Sequence, residues 1–383
     1  MDLFGTVFIL VTFYQIYNDK ALPISWKTIL KSKYFIFFYF WVLWILISFL
    51  VGAATYERLV SRVLEFRWIL YVFSFFYILL QYQIKHFTYF ILALTIMCIL
   101  SWHPYVLGVS YISGFPHSKE FARAGGFLND PMTFAHGIGL FLIFFLGYFS
   151  RAQWLKNKMV VFSLFVLLAA LLLTITRGVW IAVTVAATFY FVVKSRKHAF
   201  AFLSAVVIFV ALGYVTSKPL RARIDQTISF DKSYDSERLV LWQANWYIFK
   251  NNPIFGIGYG ENKHRIREFY DILNVPAGQF EGNAHNQYIN FLSGTGVVGL
   301  LFYLIWIGMN LYWAFNLSRN QQASLQEQAL GFGSFLGQIV LVIGGLTESN
   351  FEHSKLKTIF ALFWAISFYG YYMRKIRPLQ KSS

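Results

Sequence analysis

Charge is scarce in this chain. Of its 383 residues only 13% are Asp, Glu, Lys or Arg, while 57% are hydrophobic; a soluble domain carries about 25% charged residues. A soluble globular fold is excluded. Cysteine is almost absent: the single Cys98 lies inside the apolar run 88–102, so neither a disulfide framework nor a cysteine-based metal site can form. Also missing are the roughly 10-residue segments of alternating polarity that a membrane β-barrel needs, and any internal repeat or low-complexity tract. No basic region precedes the first apolar run and no small-residue cleavage pattern follows it before Asn18, so no cleavable signal is expected. His103, His117, His136, His264 and His353 have no H-x-x-x-H or carboxylate spacing on one helix face, and no metal site is expected.

Apolar runs fill the chain instead, at about 4–17, 34–54, 68–84, 88–102, 133–149, 159–176, 178–193, 199–216, 297–317, 329–347 and 357–373. A helix rising about 1.5 Å per residue crosses roughly 30 Å of hydrocarbon in about 20 residues. The expectation is an all-α integral membrane protein with about 11 transmembrane helices, within a range of 10–12. The first run is short enough to lie in the interface rather than span. Residues 1–216 would hold helices 1–8, residues 217–285 one long loop, and residues 286–383 helices 9–11 with a tail.

Lys and Arg outnumber Asp and Glu by 33 to 17. In a soluble protein that excess would point to nucleic acid; here it sorts by connector. The segments 18–33, 85–87, 151–158, 194–198, 318–328 and 374–383 hold 16 basic residues, and the alternate connectors 55–67, 103–132, Arg177 and 348–357 hold 8. The positive-inside bias makes the first set, with the carboxyl end, cytoplasmic. The long loop, Lys218–His285, then lies outside, with nine basic and eight acidic residues. Its near neutrality argues against a nucleic-acid partner, and a loop of such length is commonly functional.

Three groups in or beside that loop carry chemistry. Glu237–Lys250 reads as an amphipathic helix after an Asp235–Ser236 cap, with Leu239, Trp242, Trp246 and Phe249 on one stripe suited to the outer leaflet and Pro253 beyond its end. Arg238 falls in its first turn, where a guanidinium and the positive end of a helix dipole suit an anion such as a diphosphate; the plainer alternative is a solvated side chain paired with a carboxylate. Arg177 separates two abutting apolar runs, so it occupies a tight turn at an outer helix end, where it either snorkels to water or meets an anion. His285 precedes a helix that passes through Gly294-Thr-Gly296-Val-Val-Gly299. At the outer interface its imidazole, with an ordinary pKa of about 6.5, can accept a proton from a hydroxyl; otherwise it bonds a loop carbonyl. Gly296 and Gly299, three apart, let another backbone approach closely, with ordinary helix packing as the plainer alternative. Glu348, in Thr347-Glu-Ser-Asn-Phe-Glu352 at another outer helix end, either orients His285, neutralises an Arg or is an ordinary interfacial carboxylate. Gly256-Ile-Gly258-Tyr-Gly260 follows no strand of a βαβ unit and reads as a turn after Pro253, not a dinucleotide loop.

Several phrases, in order, resemble one family: Arg123-Ala-Gly-Gly-Phe-Leu-Asn-Asp-Pro131 before a helix, Thr176-Arg177-Gly178-Val-Trp180, Glu237-Arg238 with Trp242 and Ala244, Asn252-Pro253-Ile-Phe-Gly256-Ile-Gly258-Tyr-Gly260, and His285-Asn286 followed by nine residues and Gly296-x-x-Gly299. Over roughly Phe121–Phe351 the chain is similar to the O-antigen ligase and O-antigen polymerase superfamily of bacterial envelope glycan transferases; before that the likeness is one of hydropathy alone. The family usually has twelve helices.

The resemblance implies a cofactor-free, metal-independent glycosyltransferase of the bacterial inner membrane with its active site facing the periplasm. It implies an undecaprenyl-diphosphate-linked glycan donor and an acceptor hydroxyl on the lipid A core, on a second repeat unit or on a protein Ser or Thr. His285 matches the family histidine that activates the acceptor, and Arg177 and Arg238 match the arginines that hold the donor diphosphate, with inversion at the sugar. Arg123, Asn286, Gly296, Gly299 and Glu348 would support them. Lipopolysaccharide ligation is the first expectation and polysaccharide polymerisation the second. A transporter or flippase would also be polytopic, but it should show inverted repeats and midplane charges, whereas the charges here gather at helix ends and in one loop.

Overall fold

Each of the eleven apolar runs falls on a helix in the computed structural model, which describes residues 3–18, 26–52, 60, 66–81, 87–107, 130–153, 155–216, 221, 224–225, 234–266 and 283–376. In chain order the helices are α1 (Leu3–Asn18), α2 (Trp26–Leu30), α3 (Lys33–Val51), α4 (Trp68–Gln81), α5 (Phe87–Leu107), α6 (Pro131–Arg151), α7 (Lys158–Leu173), α8 (Arg177–Lys194), α9 (Arg196–Thr216), α10 (Tyr234–Asn251), α11 (Asn262–Arg265), α12 (Gln287–Ser318), α13 (Leu325–Gly344) and α14 (Ser354–Tyr371). No strand occurs among the described residues. Among the described residues six helices, α3, α6, α8, α9, α12 and α13, are long and apolar enough to cross a membrane, and Trp68–Gln81, Phe87–Trp102 and Lys158–Leu173 are shorter apolar helices.

Polar residues between the apolar runs set the helix ends. Asp130 caps α6, its carboxylate accepting the Met132 amide at 3.0 Å, with Pro131 in the first helical position where a missing N–H costs nothing. Asn157 accepts the Met159 amide at 2.9 Å to start α7. Ser324 and Glu327 form a reciprocal capping box at the start of α13. Between α8 and α9 the extended Ser195 breaks the helix, and its hydroxyl accepts the Lys197 amide.

The chain divides into two units. The first takes in Met1–Ile84, Val240–Ala323 and Phe351–Ser383, the second Lys85–Leu239 and Ser324–Asn350, so the boundary falls inside α10. In the second unit α13 packs along α6 and α8, α7 lies on α5 and α6, and α9 follows α8. In the first, α12 packs on α3 and α14, and α14 on α4. The core of the first unit is aromatic: Phe291 and Tyr303 stack with centroids 4.1 Å apart, Trp68 and Trp364 meet edge-on at 4.7 Å, and Trp41 contacts Phe291, Tyr303, Trp306 and Phe351. The lone Cys98 is buried.

α10 corrects one expectation and shows a packed face that the sequence reading did not name. It begins at Tyr234, before Asp235 and Ser236, which places Arg238 in the second turn rather than the first. Its buried stripe is Leu241, Ala244, Asn245 and Ile248, at the i, i+3, i+4, i+7 spacing of a packed face, while Leu239 and Trp246 are exposed. Leu239 and Trp246, from the stripe read as suited to the outer leaflet, lie off that packed face. A polar residue, Asn245, occupies the centre of the true interface, and hydropathy alone reads it as solvent-facing.

Candidate functional site

His285 sits in the first unit, between Asn283 and the cap of α12, with φ +43. The left-handed region is disfavoured for a residue with a Cβ, though His, Asn and Asp enter it more than most. Holding it there requires bonds from outside the residue. The Asn283 side-chain oxygen accepts the His285 amide at 2.9 Å, and the Asn290 oxygen accepts the Ala284 amide at 3.0 Å. The Trp242 indole donates to the Ala284 carbonyl at 2.8 Å. Asn286 then caps α12, accepting the amides of Tyr288 and Ile289 at 3.0 and 3.1 Å. His285 and its amide neighbours are therefore fixed from both sides, with the imidazole half-buried.

Beneath this loop lies a buried polar network. Asn262 donates to Asn245 at 2.8 Å and to Asn290 at 2.7 Å, and the Ser293 hydroxyl donates to Asn245 at 2.7 Å. All four residues are essentially inaccessible to solvent. Asn290 and Asn283 donate to the two oxygens of Glu352, at 2.7 and 2.9 Å. Beside it, the Phe351 amide donates to Gln287 at 2.6 Å and the Tyr259 hydroxyl to the Phe351 carbonyl at 3.3 Å. Buried amides linked this way specify one geometry, because each unmade bond costs about 1–3 kcal/mol.

The glycine-rich phrases explain one another. Gly296 was expected to be a helix-packing residue, but α12 breaks there, at φ 69 and ψ −176. The break frees the carbonyls of Ser293 and Gly294, which accept the amides of Ile257 and Gly258 at 3.2 and 2.9 Å, while the displaced Val297 amide donates to the Pro253 carbonyl at 2.9 Å. The Trp44 indole takes the Thr295 carbonyl at 3.0 Å. The turn after α10 and the Trp44 indole thus supply partners for these freed backbone groups, as a low-dielectric surrounding demands. A Cβ on Gly296 would overlap the Ile254 carbonyl, and one on Gly256 (φ 66) would overlap the backbone of Gly294. The expected turn after Pro253 is present, with Gly256, Gly258 and Gly260 all at positive φ. Gly299 differs: its close neighbours are the side chains of Thr295 and Trp44 rather than another backbone.

In the second unit, Arg177 is the first residue of α8, half-buried, after a turn in which Ile175 has φ 50. The Trp180 indole donates to the Leu171 carbonyl at 3.1 Å and staples α8 to the end of α7. Gly178 lies against Thr347, whose side chain a Cβ there would overlap. Arg177 and Glu348 thus belong to adjoining chain segments. Glu348 is 2% exposed, and one of its oxygens accepts the Ser349 amide at 3.0 Å. Arg238 is half-buried in α10 on the second-unit side of the boundary. Arg123 lies outside the described residues.

The structure therefore groups His285, Asn286, Gly296 and Gly299 in one unit, and Arg177 with Glu348 in the other. The residues missed in the sequence are Asn245, Asn262, Asn283, Asn290, Ser293 and Glu352. One signal was readable: Asn245 falls in phase with Leu241, Ala244 and Ile248, so a polar side chain was destined for a packed face.

Among the described residues, several membrane-length helices and no strand mark a polytopic membrane protein, with a histidine held on a left-handed loop before a broken helix. Residues 162–304, a little over a third of the chain, match the family model of O-antigen ligase, which supports a likeness to the O-antigen ligase and polymerase superfamily. The matched region runs from α7 into α12 and contains Arg177, Arg238, His285 and the glycines of the turn and the break. No curated protein matches the chain.

Proposed function

We propose that this protein transfers a glycan from an undecaprenyl-diphosphate carrier to an acceptor hydroxyl on the periplasmic side of the bacterial inner membrane, and that the acceptor is the lipid A core. The observation that carries this reading is the O-antigen ligase match over residues 162–304, which supports ligase- or polymerase-type glycan transfer at the family level and encloses both arginines and the histidine. In the reaction the acceptor oxygen attacks the anomeric carbon as its proton passes to the His285 imidazole. The bond from that carbon to the diphosphate oxygen breaks, and undecaprenyl diphosphate leaves. Negative charge grows on the leaving group as the bond breaks. Arg177 and Arg238 are the donors that would hold it, because guanidinium groups match phosphate oxygens in pairs and stay charged throughout. Such preorganised charge serves the leaving group without a metal. Asn286 supports His285 by capping the helix that follows it, and Glu348 and Arg123 are assigned supporting roles on the ordered motifs.

The test uses purified, folded His285→Ala protein with an undecaprenyl-diphosphate-linked O-antigen repeat as donor and lipid A core as acceptor. General base catalysis contributes about 10²–10⁴-fold, so turnover should fall at least 100-fold; wild-type turnover would remove His285 from the reaction. Arg177→Ala and Arg238→Ala should each weaken donor binding by about tenfold or more, the loss of a charge-assisted contact to phosphate. Donor titrations with unchanged affinity and rate would refute the diphosphate assignment. In a deletion strain, lipid-linked polymer accumulating unattached to core supports ligation; single repeat units on core would show polymerisation instead.

A further inference from the structure

We infer that Glu352 is a positioning residue for His285, holding the loop in the conformation that presents the imidazole to its acceptor; this rests on the reading of His285 as the base. An ionised carboxylate only accepts hydrogen bonds. The two Glu352 oxygens take the amide nitrogens of Asn283 at 2.9 Å and of Asn290 at 2.7 Å. That choice decides which way both amides face. With their nitrogens on the carboxylate, their oxygens point to the loop and accept two consecutive backbone amides, Asn283 that of His285 and Asn290 that of Ala284. Glu352 thereby sets the polarity of the Asn283 bond and, together with Asn262, which donates to the Asn290 oxygen, that of the Asn290 bond; both help hold His285 at φ +43. Glu352 is itself anchored, since the preceding Phe351 is buried among Trp41, Phe291, Tyr303 and Trp364 and is bonded through its amide to Gln287 and through its carbonyl to Tyr259. The carboxylate bonded to the His285 loop is thus found four residues beyond the Glu348 singled out in the sequence.

Glu352→Gln isolates the effect, because it keeps the size and changes one acceptor into a donor. One asparagine must then turn its oxygen toward Gln and its nitrogen toward a loop amide, which breaks one of the two loop bonds. A misplacement of about 1 Å at a reacting group can cost about 100-fold in rate. Measured by release of undecaprenyl diphosphate from the lipid-linked repeat in the presence of lipid A core, Glu352→Gln should lower kcat by 10- to 100-fold with donor KM within twofold, and Glu352→Asp should recover part of the loss. In the His285→Ala background, Glu352→Gln should have no further effect, because the group it positions is gone.

A Glu352→Gln protein with kcat within twofold of wild type, while His285→Ala loses 100-fold, overturns the inference and leaves the His285 assignment standing. Equal fractional losses from Glu352→Gln in the wild-type and His285→Ala backgrounds also overturn it, since they mark a general structural role. Wild-type turnover in His285→Ala removes the assignment on which the inference rests. If Glu352→Gln does not fold, Asn283→Ala replaces it under the same criteria, since it deletes the His285 amide bond from a half-buried position.

Discussion

The two units bring their helices together by different physical means. In the second, α6, α8 and α13 are continuous helices brought together by shape: Gly333 lies where a Cβ would stand 2.5 Å from the Phe144 carbonyl and 3.1 Å from its ring. Around Arg177 the Thr347 side chain lies against Gly178, beside the bond from the Trp180 indole to the Leu171 carbonyl. In the first unit the helix that follows His285 is broken, and its loose backbone groups and buried amides are tied by directional bonds. Shape gives way gradually, because side chains change rotamer and neighbours shift by tenths of an ångström. A hydrogen bond in a buried network fails outright and strands its partner. A base that must meet a hydroxyl within about 3 Å is suited to the second kind of support. A charge that holds a flexible diphosphate tolerates the first.

The strongest way to break this contrast is Gly296→Ala. Its backbone at φ 69 and ψ −176 belongs to a region essentially reserved for glycine, and the new Cβ would overlap the Ile254 carbonyl, which is backbone and cannot rotate away. Strain of about 1–3 kcal/mol adds to the loss of the docked turn, so the detergent-solubilised variant should lose at least about 3 kcal/mol or fail to accumulate folded. A melting temperature equal to wild type would show that the break is not required. Next in size is Asn290→Ala. It strips a bond from Ala284, Asn262 and Glu352 together, and at about 1 kcal/mol or more for each stranded partner it should cost about 2–4 kcal/mol in denaturant unfolding. A loss below about 1 kcal/mol would mean that the network is not cooperative.

These positions also mark where sequence reasoning stopped. The helices were legible because hydropathy and membrane thickness act over some 20 residues, and each apolar run fell on a helix. His285 and Asn286 before α12, and the turn after Pro253, were legible from local chemistry. The break at Gly296 was not, because a Gly-Thr-Gly phrase in an apolar run reads the same in a straight helix; only the arrival of the Ile254–Gly258 backbone makes the left-handed geometry favourable. The partners of Asn245, and the bonding of Glu352, were illegible for the same reason. Each is polar in its own segment, and the partners that make burial tolerable lie 17 or more residues away.

Within the second unit, Gly178→Ala puts a Cβ against the Thr347 side chain. Overpacking of this kind costs about 1–3 kcal/mol, and because the nearest obstacle is the Thr347 hydroxyl, Thr347→Ala should recover part of the loss in the double variant, the Thr347 Cβ at 2.8 Å remaining close. The two changes should therefore be strongly non-additive in a thermal unfolding cycle. Additive losses would show that α8 starts under backbone restraint, like the break in α12, and the contrast between the units would fail at its sharpest point.

The smallest effect is expected at Gly308, which lies on the same helix as Gly296 but has nothing within 4 Å of where its Cβ would be. It stands in phase with the exposed Leu301, Leu304, Ile305 and Tyr312, an apolar stripe of the kind that faces lipid. In water, glycine costs a helix about 0.5–1 kcal/mol relative to alanine. In a bilayer the gain on replacing it must be smaller, because a spanning segment stays helical even when tertiary packing is lost and the conformational entropy is already spent. Gly308→Ala should therefore raise the melting temperature slightly or leave it unchanged, with activity unaltered. A clear fall would require some other surface to lie against that stripe in the membrane, and size-exclusion of the detergent-solubilised wild type and variant would then show whether a second copy of the chain supplies it.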